Sequence, residues 1–85
     1  NAPIIAQKIL SAVARVQQRF GARYVIDVLR GTRTAKVVER GHDSLSVFGL
    51  LAEHSVQELG NFIDQLVDAG DLARTEGDYP VLTLT

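Results

Sequence analysis

Eighty-five residues, 46% hydrophobic and 22% charged with seven glycines and two prolines, bound the chain to one small globular domain with a single core and exclude a disordered or fibrous polypeptide. The lack of cysteine removes disulfides, thiolate zinc sites and cysteine nucleophiles together, and a reducing compartment is the expected setting. No apolar run approaches the roughly 18 residues of a membrane span, no signal peptide is visible, and a domain this small leaves little room for an elaborate buried catalytic cavity.

The formal net charge of −1 argues against nucleic acid only until it is divided along the chain. Residues 1–40 hold eight basic and two acidic side chains, a balance of +6, whereas residues 41–85 hold one and eight, a balance of −7. The chain opens Asn1-Ala2-Pro3-Ile4 without a methionine and stops at Leu84-Thr85 inside a strand-like run. It is therefore expected to be one domain, residues 1–85, excised from a longer protein.

Pro3 suits the first turn of a helix, where its missing N–H costs nothing. The apolar positions Ile5, Ile9, Val13, Val16 and Phe20 then step along one helical stripe, which predicts a first helix to about residue 19 and a stop at Gly21. Tyr24, Val25, Val28 and Leu29 predict a second short helix closed by Gly31. Thr32 and Thr34 are both suitable N-caps for a third helix of about two turns. Val37 and Val38 are expected to face inward, Arg33, Lys36 and Arg40 outward, and Gly41 ends the segment. From His42 to His54 the apolar residues lack long periodicity and read as a connector with one helical turn plugging the core.

Ser55 and Glu58 form a capping box before Leu59, Phe62, Ile63, Leu66 and Val67 at helical spacing, and Gly70 supplies the stop. Leu72–Thr75 and Tyr79–Leu84 read as two strands around Glu76-Gly77-Asp78, with a two-residue type II′ turn expected at Gly-Asp. Pro80 confines the second strand to an edge, or itself to a ladder position needing no donor. The sum is a mainly α (α+β) winged helix-turn-helix: a helical core with a short C-terminal β-hairpin wing.

Four blocks make the string more specific than its pattern. They are Gln18-Arg19-Phe20-Gly21-Ala22, Val25-Ile26-Asp27-Val28-Leu29-Arg30-Gly31, Arg40-Gly41-His42-Asp43-Ser44-Leu45-Ser46-Val47-Phe48-Gly49 and Ile63-Asp64-Gln65-Leu66-Val67-Asp68-Ala69-Gly70. In this order they resemble the RQC (RecQ C-terminal) winged-helix domain of RecQ-family DNA helicases, from about Gln7 to Thr85, with a short wing like that of bacterial members. The resemblance implies a parent chain with two RecA-like motor lobes binding Mg-ATP and a four-cysteine structural zinc subdomain. This part would then grip duplex DNA near a fork while the motor moves 3′ to 5′ in replication, recombination and repair. The chain departs from the family where Gly49-Leu50-Leu51-Ala52-Glu53 lacks a second glycine and a basic residue, where Leu59 replaces a common Trp, and where Asp64 replaces a usual Arg.

In an ordinary winged helix the helix before the hairpin enters the major groove. Here that helix, Ser55 to Ala69, carries Glu58, Asp64 and Asp68 and no Lys or Arg, so phosphates lining a groove would repel it. It reads as core. The expected DNA contacts are instead Arg30, Thr32, Arg33, Thr34 and Lys36 at the junction of the second and third helices, a set of cations, hydroxyls and helix-start N–H groups suited to phosphate oxygens. Arg15, Arg19 and Arg23 extend the basic field, with Arg19 alternatively pairing with Asp27.

The resemblance carries over Arg30, Thr32, Thr34 and Lys36, and adds Ser46 from the Gly-His-Asp block. Tyr79 near the hairpin tip is a candidate wing contact with an unpaired base, or else packs on the hairpin's inner face. His42 is expected to hydrogen-bond structurally and His54 to lie on the surface. No cofactor or metal is expected in the fragment, and no Gly-rich phosphate loop, nucleophile elbow or convergent carboxylate pair suggests an enzyme. The expected partners are double-stranded or forked DNA, G-quadruplex DNA, and the helicase and zinc subdomains of the same chain, in the cytoplasm on the nucleoid, with no membrane. The competing reading is a protein-docking module whose acidic half packs on the motor domains or a repair partner.

Overall fold

The structure, a computed structural model, describes residues 2–85, with side chains from Ile4 onward. Helix α1 spans Ala2–Arg15 and buries Ile9, Ala12 and Val13 completely. It ends four residues before the expected boundary. Gln17 N–H donates to the Ala14 carbonyl (2.9 Å) and Gln18 N–H to the Val13 carbonyl (3.1 Å), a Schellman closure in which Gln17 (φ 66°) takes the left-handed position that glycine usually fills. Val16 and Phe20 are both buried, so the apolar spacing is satisfied by a turn as well as by a continued helix.

Helix α2, Ala22–Arg30, closes as expected on Gly31 at φ 76°. Helix α3, Ala35–Glu39, is capped by Thr34, whose hydroxyl accepts from Val37 N–H at 3.1 Å. Thr34, and not Thr32, is the cap. Val37 is buried but Val38 is 49% exposed, contrary to expectation, because consecutive positions on a helix diverge by about 100° and a single turn presents only one face to the core. A 3₁₀ turn follows at His42–Ser44, and Val47 and Leu51 then plug the core. The connector is stitched to the end of α2: Gly49 N–H donates to the Val28 carbonyl (2.8 Å) and Leu51 N–H to the Leu29 carbonyl (2.9 Å). A Cβ on Gly31 would lie 3.1 Å from the Gly49 Cα, so glycine permits this approach.

Helix α4, Val56–Asp68, starts at the predicted capping box, with reciprocal Ser55 and Glu58 bonds of 3.0 and 2.8 Å. Its Leu59, Ile63 and Leu66 face α2 and complete the core.

Strands β1, Leu72–Arg74, and β2, Leu82–Leu84, pair antiparallel with Ala73 opposite Thr83. Both are shorter than expected, and the two-residue turn does not form. Thr75 and Val81 close a five-residue loop instead, through Thr75 N–H to the Val81 carbonyl (3.0 Å) and Val81 N–H to the Thr75 hydroxyl (2.9 Å). Pro80 has no N–H to extend the ladder. The hairpin leans on the α1–α2 link: Leu82 N–H donates to the Phe20 carbonyl and Leu84 N–H to the Gln18 side-chain oxygen, both at 2.9 Å. Helical core and hairpin together make the mainly α winged helix.

Candidate nucleic-acid interface

The α2–α3 junction carries the candidate phosphate ligands Arg30, Thr32, Arg33, Thr34 and Lys36 within seven residues. Thr32 is exposed and donates its N–H to the Asp27 carbonyl (2.8 Å). Arg33, with a side chain 63% exposed, lies 3.7 Å from the Asp43 carboxylate, and its guanidinium sits 5.1 Å over the Phe48 ring. That loose pair in solvent contributes under about 1 kcal/mol, so a phosphate can replace Asp43 at little cost. Arg30 differs. Its Nε donates to the His54 carbonyl at 2.9 Å, bracing the end of α2 against the start of α4. Ser46 is exposed in the connector beside buried Val47.

Lys36 stands on an aromatic platform. Phe20 and Tyr24 stack with centroids 4.1 Å apart, the Lys36 ammonium lies 5.2 and 5.8 Å from the two ring centroids, and the Arg40 guanidinium lies 5.4 Å from that of Phe20. Ring faces attract cations, so the platform holds both charges on one side of α3. Arg40 was placed on this outer face by the sequence but was not among the predicted contacts. Its signal was the i, i+4 spacing from Lys36.

His42 closes the platform edge-on, and its Nδ1 lies 2.6 Å from the Tyr24 hydroxyl. Burial, and secondarily Arg40, hold the imidazole below its ordinary pKa, while burial raises that of Tyr24. The hydroxyl and Nδ1 share one proton donor between them, and the ring's tautomer sets which of the two donates. This is the structural role expected of His42.

Three further placements concern the flanks. Asp27 pairs with Arg23 (3.2 Å, one helical turn away), not with Arg19. Tyr79 is 90% exposed and does not pack on the inner face of the hairpin. His54, expected at the surface, is half-buried, because its ring meets Phe62 edge-on at 6.1 Å and its carbonyl accepts Arg30.

The exposed surface of α4 is acidic. Glu58, Asp64 and Asp68 are exposed on α4, with Arg74 bound to Asp64 at 2.7 Å. The N–H of Ser55 holds the Glu58 carboxyl below its usual range. A shallow apolar groove lined by Ala6, Phe62, Leu66 and Ala69 runs between α1 and α4. Among the described residues no group of three or more His, Asp or Glu side chains is placed to hold a metal, and no helix is long and apolar enough to cross a membrane.

A winged helix with a cationic helix junction and an acidic helix before its hairpin departs from the usual groove-reading design. The comparisons with known proteins agree on what it is. The family model described as "RQC domain" matches residues 1–85. This chain belongs to the RQC domain family.

Similar curated proteins are the ATP-dependent DNA helicase RecQ of Bacillus subtilis (strain 168), 38% identical over 77 residues (91% of this chain, 13% of that protein), and that of Haemophilus influenzae, 42% identical over 81 residues (94% and 13%). The RecQ of Pasteurella multocida is 42% identical over 67 residues, 79% of this chain and 11% of that protein. The chain thus spans about an eighth of the length of the relatives it matches.

Proposed function

We propose that this chain is the duplex- and fork-binding module of a RecQ-type 3′–5′ DNA helicase, and that it holds the phosphate backbone without reading sequence. The observation that carries this reading is the junction itself: Thr32, Arg33 and Lys36 are exposed within five residues of one another, half-buried Thr34 caps α3 between them, and Arg40 joins Lys36 on the aromatic platform. Cations and hydroxyls suit phosphate oxygens and demand no particular base. Arg30 supports this surface through its brace on His54, and its terminal nitrogens extend the same field. Ser46 and Tyr79 supply flanking contacts, with G-quadruplex DNA a further substrate class. Mg-ATP and a structural zinc belong to the parts of the parent protein outside this chain, and its place of work is the nucleoid of the cytoplasm.

Anisotropy titrations with random duplex over a range of salt test the reading. Arg33→Ala with Lys36→Ala should weaken binding equally for all sequences and reduce the log-affinity against log-salt slope by about 0.9 per lost phosphate contact. An unchanged affinity and slope would remove this surface from the interface.

The acidic α4 face and its apolar groove favour a second, compatible reading, docking against the motor domains or a repair partner. A pure docking module shows no salt-sensitive duplex binding, so the same titration separates the two.

A further inference from the structure

We propose that a phosphate held at Lys36 and Arg40 draws one proton from solvent onto His42, so that the domain grips duplex DNA more tightly as pH falls. This rests on the DNA-binding reading above and adds a regulating proton and a positioning residue to it.

The surroundings of His42 lack one partner. On α2, the Tyr24 hydroxyl lies 2.6 Å from its Nδ1, and the ring stands edge-on to Phe20 and Tyr24 with centroids 5.6 and 5.7 Å away. From α3, Lys36 and Arg40 lean on that same pair of rings. Asp43, the next residue in the 3₁₀ turn, has its carboxylate 3.7 Å from Arg33. Among the described residues no carboxylate pairs with His42. The imidazole thus has a hydroxyl partner and cationic neighbours but no counter-ion.

That imbalance decides its protonation state. Burial, and secondarily Arg40, favour the neutral ring in the free protein. A phosphate on Lys36 and Arg40 offsets their charge and supplies the missing anion, which favours the imidazolium. The ring is already half-buried, so covering it removes little further hydration, whereas the phosphate brings a full negative charge. Coupling between two ligands is reciprocal: if phosphate favours the proton, the proton favours phosphate by the same factor.

The Tyr24 hydroxyl registers the change. In the imidazolium both ring nitrogens carry hydrogen, so Nδ1 donates and the phenol oxygen accepts. The phenol hydrogen is then free to turn toward a phosphate oxygen. His42 acts through Tyr24, and so as a positioning residue rather than as a phosphate ligand.

The test is the pH dependence of binding to a random-sequence blunt duplex, by fluorescence anisotropy at constant ionic strength from about pH 5 to 8, the range in which histidine titrates. Circular dichroism checks the fold at each pH. Affinity should rise as pH falls by on the order of tenfold, an ordinary coupling between two ligands. Isothermal titration calorimetry in two buffers of different ionisation enthalpy should record net proton uptake on binding. His42→Gln should give a flat profile and no uptake, Tyr24→Phe should keep the stacked rings and shrink both effects, and His54→Gln should retain both. A flat profile in the unaltered domain, or the same pH dependence in His42→Gln, would overturn the proposal and leave the phosphate grip standing. Failure to bind duplex at any pH would remove both.

Discussion

Replacing Gly31 with alanine asks how much the junction depends on the close approach of the connector to α2. Gly31 and Gly41 both sit in the left-handed region, at φ 76° and 73°, and alanine there costs each about 1–2 kcal/mol. Only at Gly31 does the new Cβ meet backbone, the Gly49 Cα at 3.1 Å, while nothing lies within 4 Å at Gly41. The neighbour cannot swing away as a side chain would, because Gly49 N–H is held by the Val28 carbonyl at 2.8 Å. Overpacking of this kind adds about 1–3 kcal/mol. Gly31→Ala should therefore be less stable than Gly41→Ala by that added amount, which at a slope of roughly 1 kcal/mol per molar urea is a midpoint lower by about 1–3 M. Urea unfolding followed by circular dichroism measures both variants. Equal midpoints would show that the connector yields freely, and that the Gly31–Gly49 contact does not fix the junction.

Two further outcomes follow from local chemistry. His42 is held below its ordinary pKa when folded, whereas the unfolded chain titrates near 6.5, so the unfolded state takes up a proton first as pH falls. Its contribution to stability is complete above about pH 6.5 and declines below that until the folded imidazole also protonates; His42→Gln should flatten this decline in urea midpoints, and an identical pH profile in the variant would refute the assignment. Gln17→Gly should raise stability by about 0.5–1 kcal/mol, because the native φ of 66° suits glycine, and a lower thermal midpoint would contradict the strained closure of α1.

The sequence was most legible where side chains signal to backbone. Ser55 and Glu58 announced the start of α4 because the capping box is itself a local hydrogen-bond pattern, and Gly31 announced the end of α2 because few other residues adopt its conformation. The end of α1 was hidden for the converse reason: Gln17 and Gln18 adopt left-handed angles with no glycine to mark them, and Val16 and Phe20 are buried on either path. At the hairpin, Gly77-Asp78 signalled a tight turn, but Pro80 withheld the donor that a longer ladder needed, and the loop widened. The candidate contacts Thr32 to Lys36 cluster in sequence and so could be read directly. The brace from Arg30 to His54 joins residues 24 positions apart, and a groove below the hairpin joins Arg19 to Tyr79; only the fold creates either.

The two hydrogen bonds that seat the hairpin on the α1–α2 link also govern how the protein behaves in company. A two-stranded ribbon ordinarily offers its outer edge as a template for pairing with another chain. Here Leu82 and Leu84 point their N–H groups away from β1 and spend them on the Phe20 carbonyl and the Gln18 amide oxygen. That edge has no donor left to recruit a third strand. An extended peptide, or the hairpin of a second copy, would have to displace both bonds before it could add to the β2 edge.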